Sequence, residues 1–466
     1  MKITFYGAAK TVTGSKHLIT TEKKKNLLLD CGLFQSKGSD NEYLNRHFGF
    51  DPATIDYMIL SHAHTDHAGN IPQLVKSGYS GPIYATPATI DLCRVMLADS
   101  AHIQESDITY LNKRRIKKGQ VPLSPIYTEE DVKIAMRQFV PVKYNQVTQI
   151  DDHIRFHFTD SGHILGSAAV NLEIDEKGST KKVFFSGDVG RYNDIILRAP
   201  QEFQQADIII CETTYGNRLH EHTVDAEERL MKIVQDTCVE RKGKLIVPAF
   251  SLGRTQEVVY ALDRAHTAGK MPHIPVYVDS PLAINATEIM RKHTESFNPE
   301  ILEYMKKDSD PFGYDEVFYI RDVEDSKALN DFPEPCIIIS ASGMMEAGRI
   351  KHHIKNNIED PKNTILIVGY VTPNSLGGKL KDGSPEVKIF GDLYSVKAKV
   401  EVIDSYSAHA DYEELLKYLS CQDPEKVKKY FMVHGEDDAL AEFRIKLMEK
   451  GFQHIHIPDL GESFEV

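Results

Sequence analysis

Residues 61–67 form the run Ser61-His62-Ala63-His64-Thr65-Asp66-His67, in which three imidazoles and one carboxylate fall within six positions. The run follows Tyr57-Met58-Ile59-Leu60, an apolar stretch that predicts a buried strand. The first two histidines can point to the same side because side chains alternate in extended backbone, whereas the later aspartate and histidine follow a turn. Two pairs of donors can serve two neighbouring metal ions, and neutral imidazole with carboxylate suits zinc. The alternative is an exposed polar loop without a metal.

Length and composition predict a two-domain protein of the cytoplasm. A chain of 466 residues is too long for one ordinary core, and 41% hydrophobic residues suffice for burial. The six cysteines are dispersed and form no CxxC pair, which argues against a disulfide framework and a thiolate zinc site and fits a reducing compartment. The N-terminus has no apolar signal core, and no apolar run approaches membrane-spanning length, so we expect no membrane partner.

The charge balance restricts how the chain can bind polyanions. A formal net charge of −13 disfavours a surface that attracts them everywhere, although a cleft can carry a local potential of the opposite sign. The most basic run is Asn112-Lys113-Arg114-Arg115-Ile116-Lys117-Lys118. Such a run is typical of a solvated helix face, and contact with nucleic acid is the alternative.

The pattern of secondary structure changes twice along the chain. Short strand-like segments dominate up to residue 212, and their polar ends, such as Asp30 and Asp188, are expected to converge along one sheet edge. From about residue 226 apolar runs alternate with helical stretches, as expected for parallel strands covered on both faces. Strands that end in histidine motifs return after Asp392. We therefore predict a first domain formed by residues 1–212 and 392–466, with an α/β domain inserted at residues 213–391.

Seven polar motifs follow one another along nearly the whole chain. They are Asp30 in Leu28-Leu29-Asp30-Cys31-Gly32, the His62 to His67 run, His163 in Gly162-His163-Ile164-Leu165-Gly166-Ser167, Asp188 in Ser186-Gly187-Asp188, Glu212 in Glu212-Thr213-Thr214-Tyr215-Gly216, His409, and His434. In this order they resemble the β-CASP branch of the metallo-β-lactamase superfamily, which includes bacterial and archaeal ribonucleases and the endonuclease subunit of the eukaryotic pre-mRNA cleavage and polyadenylation machinery. The resemblance implies an α/β fold: an αββα metallo-β-lactamase sandwich with an inserted β-CASP domain built on a Rossmann-like parallel sheet.

The resemblance also implies a set of metal ligands. One Zn²⁺ would take His62, His64 and His163, the second would take Asp66, His67 and His434, and Asp188 would bridge them. A hydroxide between the two ions would attack the phosphodiester, with Asp66 counted among the catalytic residues as well as the ligands. Mn²⁺ is an alternative because oxygen and imidazole ligands do not select sharply between these metals. Asp30 is expected to accept the remaining N–H of a ligand histidine, or simply to end a strand at a turn.

His409 and Glu212 are expected to act on the leaving group. Phosphodiester cleavage expels an alkoxide, which needs a proton, and His409 is the predicted general acid. Glu212 would keep that imidazole charged and oriented. The alternative is a structural hydrogen-bonding pair.

Three further residues are candidates for contact with the substrate. Arg254 and Ser342 follow buried strands at strand-to-helix turns, where backbone N–H groups and an arginine favour anions, although either turn could be purely structural. Ser407 lies in the motif around His409. No GxGxxG fingerprint or Walker loop occurs, so no nucleotide cofactor is implied.

These observations predict a metal-dependent hydrolase, a ribonuclease acting on RNA that is expected to be single-stranded. A nuclease for single-stranded DNA, a small-molecule metallohydrolase of the thioester or lactam kind, and a non-catalytic RNA-binding subunit are the alternatives. The small-molecule enzyme would not need the inserted domain, Glu212 or His409, and a degenerate subunit would be expected to lose ligands. The sequence does not decide between endonuclease and 5′-exonuclease action. It also leaves open the sequence preference and the oligomeric state, including whether the chain forms a homodimer.

Overall fold

The computed structural model describes residues 1–35, 39–220, 224–369, 371–372, 374–403 and 407–466. The strands are β1 (Lys2–Phe5), β2 (His17–Thr20), β3 (Asn26–Leu29), β4 (Tyr57–Ile59), β5 (Ile83–Ala85), β6 (Phe139–Pro141), β7 (Thr148–Asp151), β8 (Ile154–Asp160), β9 (Ala168–Glu176), β10 (Ser179–Phe185), β11 (Ile208–Glu212), β12 (Leu245–Pro248), β13 (Val276–Val278), β14 (Val317–Tyr319), β15 (Ile337–Ser340), β16 (Thr364–Val368), β17 (Glu386–Ile389), β18 (Asp392–Ser395), β19 (Lys399–Ile403), β20 (Lys429–Val433), β21 (Ile455–His456) and β22 (Ser463–Glu465).

The α-helices lie between these strands. They are α1 (Ser39–Arg46), α2 (Thr65–Ala68), α3 (Ile71–Lys76), α4 (Pro87–Lys117), α5 (Glu129–Met136), α6 (Val224–Val234), α7 (Arg254–Thr267), α8 (Pro281–Lys292), α9 (Pro299–Tyr304), α10 (Val323–Asp331), α11 (Ile350–Asn357), α12 (Leu376–Lys381), α13 (Tyr412–Leu419) and α14 (Asp437–Glu449). None of the helices in the described part of the chain has the length and apolar character needed to cross a membrane.

The chain forms two compact units. The first consists of Met1–Tyr192, Arg198–Leu219 and His409–Val466, and the second of Asn193–Leu197 and His220–Ala408. The chain passes into the second unit after Leu219 and returns to the first unit after Ala408. Both positions lie later in the sequence than the domain boundaries predicted after residues 212 and 391. The later second limit has a physical cause, since β19 pairs in parallel with β16 and so belongs to the sheet of the second unit.

Two seven-stranded sheets form the centre of the first unit, in the orders β22-β1-β2-β3-β4-β5-β6 and β21-β20-β11-β10-β9-β8-β7. Alternate side chains of both sheets meet in one buried apolar core, to which Leu29 and Ile59 come from the first sheet and Phe185 and Ile210 from the second. The opposite face of the second sheet is covered by apolar residues of α13 and α14, such as Leu415 and Phe443. This arrangement confirms the predicted sandwich of two sheets with helices outside.

The second unit contains a six-stranded parallel sheet in the order β14-β13-β15-β12-β16-β19, together with the separate hairpin β17–β18. The central strands β12, β15 and β16 are buried along their whole length. Strands buried on both faces require continuous apolar runs, which is the pattern that the sequence shows there. The predicted α/β class is confirmed for this unit as well.

Candidate metal centre

The candidate site lies within the first unit, where strand ends deliver its side chains. Asp188 follows β10, Glu212 ends β11 and His434 follows β20. Strand β11 pairs in parallel with β10 on one side and with β20 on the other, so the carboxyl ends of all three strands meet at one edge. From the other sheet, β4 leads directly into the 61–67 run. Convergence along a sheet edge, as the sequence predicts, is therefore a consequence of parallel pairing.

Four of the predicted ligands form a first donor group, defined as His62, His64, His163 and Asp188. The His64 Nδ1 atom lies 3.2 Å from His62 Nε2 and 3.1 Å from His163 Nε2. Asp188 Oδ2 lies 3.4 Å from each of those two Nε2 atoms. Four ligands placed tetrahedrally at zinc distances of ~2.0 to 2.1 Å stand about 3.3 to 3.4 Å apart. The spacing of the first donor group therefore fits one tetrahedral ion.

A second donor group consists of Asp66, His67 and His434. His434 Nε2 lies 3.2 Å from His67 Nε2 and 3.4 Å from Asp66 Oδ2. Asp188 closes this group as well, because its Oδ1 atom lies 3.2 Å from His67 Nε2. The same carboxylate thus presents Oδ2 to the first group and Oδ1 to the second. Asp188 is 1% exposed, and its Oδ1 atom has no hydrogen-bond partner within the described part of the chain. A buried carboxylate oxygen of this kind requires a partner, and a cation fits the position.

The protonation states of the first donor group suit metal binding. Burial, together with the neighbouring His62, lowers the pKa of His64 to about 3. Burial likewise lowers the pKa of His62 and the pKa of His163. Burial alone would raise the pKa of Asp188, but the surrounding histidines, His434 first, hold it well below its ordinary value. Neutral imidazoles and an ionised carboxylate are the forms that bind a metal ion.

Asp30 anchors two of the ligand histidines through buried hydrogen bonds. Its Oδ2 atom accepts from His67 Nδ1 at 2.7 Å and from Ser61 Oγ at 2.8 Å. The Ser61 hydroxyl lies 3.0 Å from His62 Nδ1 and can accept its N–H because its own proton goes to Asp30. In the neutral form that binds a metal, both imidazoles would therefore carry their proton on Nδ1 and direct the Nε2 lone pair into the site. The predicted position of Asp30 beside a ligand agrees with this geometry, whereas the sequence analysis did not identify Ser61.

Thr214 plays the corresponding part for His434. Its hydroxyl donates to the His434 carbonyl at 3.1 Å and lies 3.0 Å from His434 Nδ1, from which it accepts. His434 has a φ of 51°, in the left-handed region, and so its side chain leaves β20 at an unusual angle. Thr214 was also missed, although it stands two positions after the motif residue Glu212.

His409 and Glu212 form a pair at the border of the donor groups. His409 Nδ1 lies 3.2 Å from Glu212 Oε1, which also accepts the backbone N–H of Val189 at 2.6 Å. Glu212 is fully buried, and the His409 side chain is 21% exposed. Burial lowers the pKa of His409, but the carboxylates of Glu212, Asp188 and Asp66 together, Glu212 first, raise it to about 9. Glu212, Asp188 and His434 also form a third group of donor atoms that lie close together. The Oε1 atom of Glu212, however, already accepts the Val189 N–H and pairs with His409.

The three predicted substrate contacts belong to the second unit. Arg254 is buried at the start of α7 and forms an ion pair with Glu257 one turn later. Ser407 is buried, and Ser342 is half-buried in the turn after β15. A guanidinium that is buried against a carboxylate already has its charge satisfied, so this arrangement favours a structural part for Arg254.

Three family profiles match the chain and together cover most of it. A metallo-β-lactamase superfamily domain matches residues 18–207, a β-CASP domain matches residues 255–380, and a Zn-dependent metallo-hydrolase RNA specificity domain matches residues 393–458. A ribonuclease of Thermus thermophilus, Ribonuclease TTHA0252, is 32% identical over the full length of both chains. The chain belongs to the β-CASP family of the metallo-β-lactamase superfamily. This membership confirms the family predicted from the seven motifs and makes the chain a metal-dependent hydrolase.

Two further relatives carry names other than that of the Thermus ribonuclease. The transcription termination factor FttA of Methanosarcina mazei is 31% identical over 97% of this chain and 69% of its own length. An RNase J-like protein of Methanocaldococcus jannaschii is 31% identical over 87% of this chain and 86% of its own. The similarity to all three relatives thus extends across both compact units.

Proposed function

We propose that this β-CASP protein is a zinc-dependent ribonuclease that hydrolyses phosphodiester bonds in RNA with two ions per chain. The observation that carries the proposal is the pair of donor groups that share Asp188, each with atoms spaced 3.1 to 3.4 Å apart. RNA is the substrate supported by the match to the RNA specificity domain and by relatives that are named as ribonucleases.

The first donor group would hold one ion and the second donor group the other, with Asp188 giving one oxygen to each. Asp30, Ser61 and Thr214 keep the ligand imidazoles in the tautomer that a metal requires. When bound, two divalent ions supply an acidified water as the nucleophile and neutralise charge on the phosphoryl oxygen.

His409 is proposed as the group that protonates the leaving oxygen. Its Nδ1 atom lies 3.2 Å from Oε1 of Glu212, so the carboxylate and the imidazole form a pair beside the two donor groups. Glu212 is itself held by the Val189 N–H, so it fixes the orientation of the imidazole and favours the charged form. A protonated, oriented imidazole is the kind of general acid that an alkoxide leaving group requires.

The experiment compares end-labelled and internally labelled single-stranded RNA with DNA of the same sequence. We expect cleavage of RNA that is lost in chelator and restored by zinc, about two ions per chain by elemental analysis, and no cleavage by Asp188→Ala. The label pattern also separates internal cleavage from release of terminal nucleotides. A stable, active preparation with one ion per chain would contradict a two-ion site that shares Asp188. Cleavage of DNA as fast as or faster than that of RNA would contradict RNA as the substrate.

A further inference from the structure

Helix α4 changes character halfway along its length. It has 31 residues, which at about 1.5 Å per residue makes it about 46 Å long. Its first turns are buried, and Thr89 Oγ1 donates to the carbonyl of Gly166, three residues after His163. The last fully buried residue is Ala101, and beyond it the helix is half-buried or exposed. One end of α4 therefore lies beside the candidate metal centre and the other extends far from it.

The exposed end concentrates positive charge on an acidic chain. Residues 110–121 contain five basic and no acidic side chains, although the whole chain carries a net charge of −13. The acidic residue nearest in sequence is Asp107, one turn before Tyr110. Within the described ranges, none of Lys113, Arg114, Lys117 and Lys118 forms an ion pair. Cations without carboxylate partners keep their charge available for a polyanion.

An aromatic side chain stands among these cations. Tyr110 is 64% exposed, and Arg114 follows it at the i+4 position and Lys113 at i+3, on the same side of the helix. Ile103, Leu111 and Ile116 are also exposed, but around Tyr110 the four exposed cations Lys113, Arg114, Lys117 and Lys118 outnumber these apolar side chains, which favours a polyanion over an apolar partner.

The segment that follows the helix is fixed against it. Asn112 makes two hydrogen bonds with the backbone of Leu123, at 2.8 and 2.9 Å. Arg115 Nε donates to the carbonyl of Val121 at 2.9 Å, so this fifth basic residue has a structural part. The four remaining cations are thus presented on a preformed surface, which lowers the entropy cost of binding.

We propose that the surface formed by Tyr110, Lys113, Arg114, Lys117 and Lys118, here called the α4 tip, binds single-stranded RNA away from the metal centre. The inference rests on the proposed function, because it gives the same RNA a second point of contact. Lysine and arginine side chains bind the phosphates, and the ring of Tyr110 stacks on a base, which is the combination that non-specific binders of single strands use. An RNA long enough to reach from the centre to the α4 tip binds more tightly than a short one.

The test measures the affinity of the metal-loaded protein for single-stranded RNA of about 30 and about four nucleotides. Stopped-flow fluorescence anisotropy gives the affinity before cleavage proceeds. We expect Lys113→Gln with Arg114→Gln to lose most of the preference for the longer RNA and to lower the salt slope of log K by about 1.4, since each phosphate contact to a single strand contributes about 0.7. Tyr110→Ala should weaken binding about 5-fold or more, and Tyr110→Phe should restore it.

The matched control is Lys23→Gln with Lys24→Gln, which removes two exposed charges from the turn between β2 and β3. It should keep both the length preference and the salt slope. The α4-tip proposal is overturned if the control and the Lys113/Arg114 variant weaken binding equally, or if the variants change only the oligomeric state in sedimentation, which would assign the surface to a second copy. Wild-type protein that binds RNA but cleaves none contradicts the proposed function alone, whereas absence of RNA binding contradicts both.

Discussion

His409→Ala separates proton transfer from metal binding. None of the donor atoms in the two groups belongs to His409, whose ring centroid lies 4.4 Å from that of His163 and 6.0 Å from that of His434. Removing the imidazole therefore leaves both sets of ligands in place, and the variant should retain its metal and its affinity for RNA. The variant loses the proposed proton donor, which pairs with Glu212.

The size of the loss follows from the chemistry of the leaving group. A positioned general acid contributes about 10² to 10⁴-fold, which corresponds to about 2.7 to 5.4 kcal/mol of transition-state stabilisation. We expect kcat to fall by this factor. Glu212→Gln should lose less, because glutamine can still accept the Val189 N–H but no longer presents a negative charge 3.2 Å from His409 Nδ1.

The assay compares an ordinary RNA with one whose scissile linkage carries a bridging sulfur. Sulfur leaves without protonation, so the modified substrate should restore much of the rate to His409→Ala but little to Asp188→Ala, which lacks the shared ligand. Elemental analysis of His409→Ala and His434→Ala completes the comparison, since only the second should lose an ion. The general-acid assignment is refuted if His409→Ala loses zinc, or if the sulfur substrate restores nothing.

Three further variants test the surroundings of the site and the stability of the second unit. Asp30→Asn should lower metal affinity about 10- to 100-fold in competition with a chelator, because the charged acceptor of the His67 N–H is lost; unchanged affinity would contradict the anchoring role. Gly32→Ala should lose metal or fail to fold, since a Cβ there would stand 1.6 Å from the carbonyl oxygen of Asp66, and a variant with full metal content would show that this contact yields easily. Burial raises the pKa of Asp263 to about 7, so the folded state binds a proton that the unfolded state releases near pH 4. The unfolding free energy should therefore fall between about pH 4 and pH 7, by roughly 2 kcal/mol more in wild type than in Asp263→Asn after allowance for solvent screening; parallel pH profiles in chemical denaturation would argue against it.

The donors could be predicted because they are concentrated in sequence. His62, His64, Asp66 and His67 follow one buried strand, and imidazoles and a carboxylate packed this closely are typical of a metal site. Asp188 and Glu212 stand at the ends of apolar strands, which parallel pairing then brings together. The continuous apolar runs also predicted the parallel sheet of the second unit, since its strands are buried on both faces, whereas the two-sheet sandwich was implied by the resemblance to the family.

The hydrogen-bond partners of the ligands could not be predicted in the same way. Thr214 and His434 are separated by 220 positions, and only the pairing of β11 with β20 brings them together. The sequence likewise does not specify that His64 presents Nδ1 where His62 presents Nε2. For Arg254, the strand-to-helix turn predicted an anion site in general terms. Only the folded chain shows that Glu257 pairs with the charge of this arginine. Such details depend on distances between side chains that are set only in the folded chain.

The return of the chain to the first unit couples folding to the chemistry of the site. Strand β20 adds in parallel to β11 and pairs in parallel with β21 on its other side. The same strand delivers His434 to the second donor group, and α13, which follows His409, covers the outer face of that sheet. Without residues 409–466 the strand β11 would be an unpaired edge, and the second group would lack a ligand. The segment that completes the sheet is therefore the segment that completes the metal centre, so metal binding is expected to stabilise the docked position of β20.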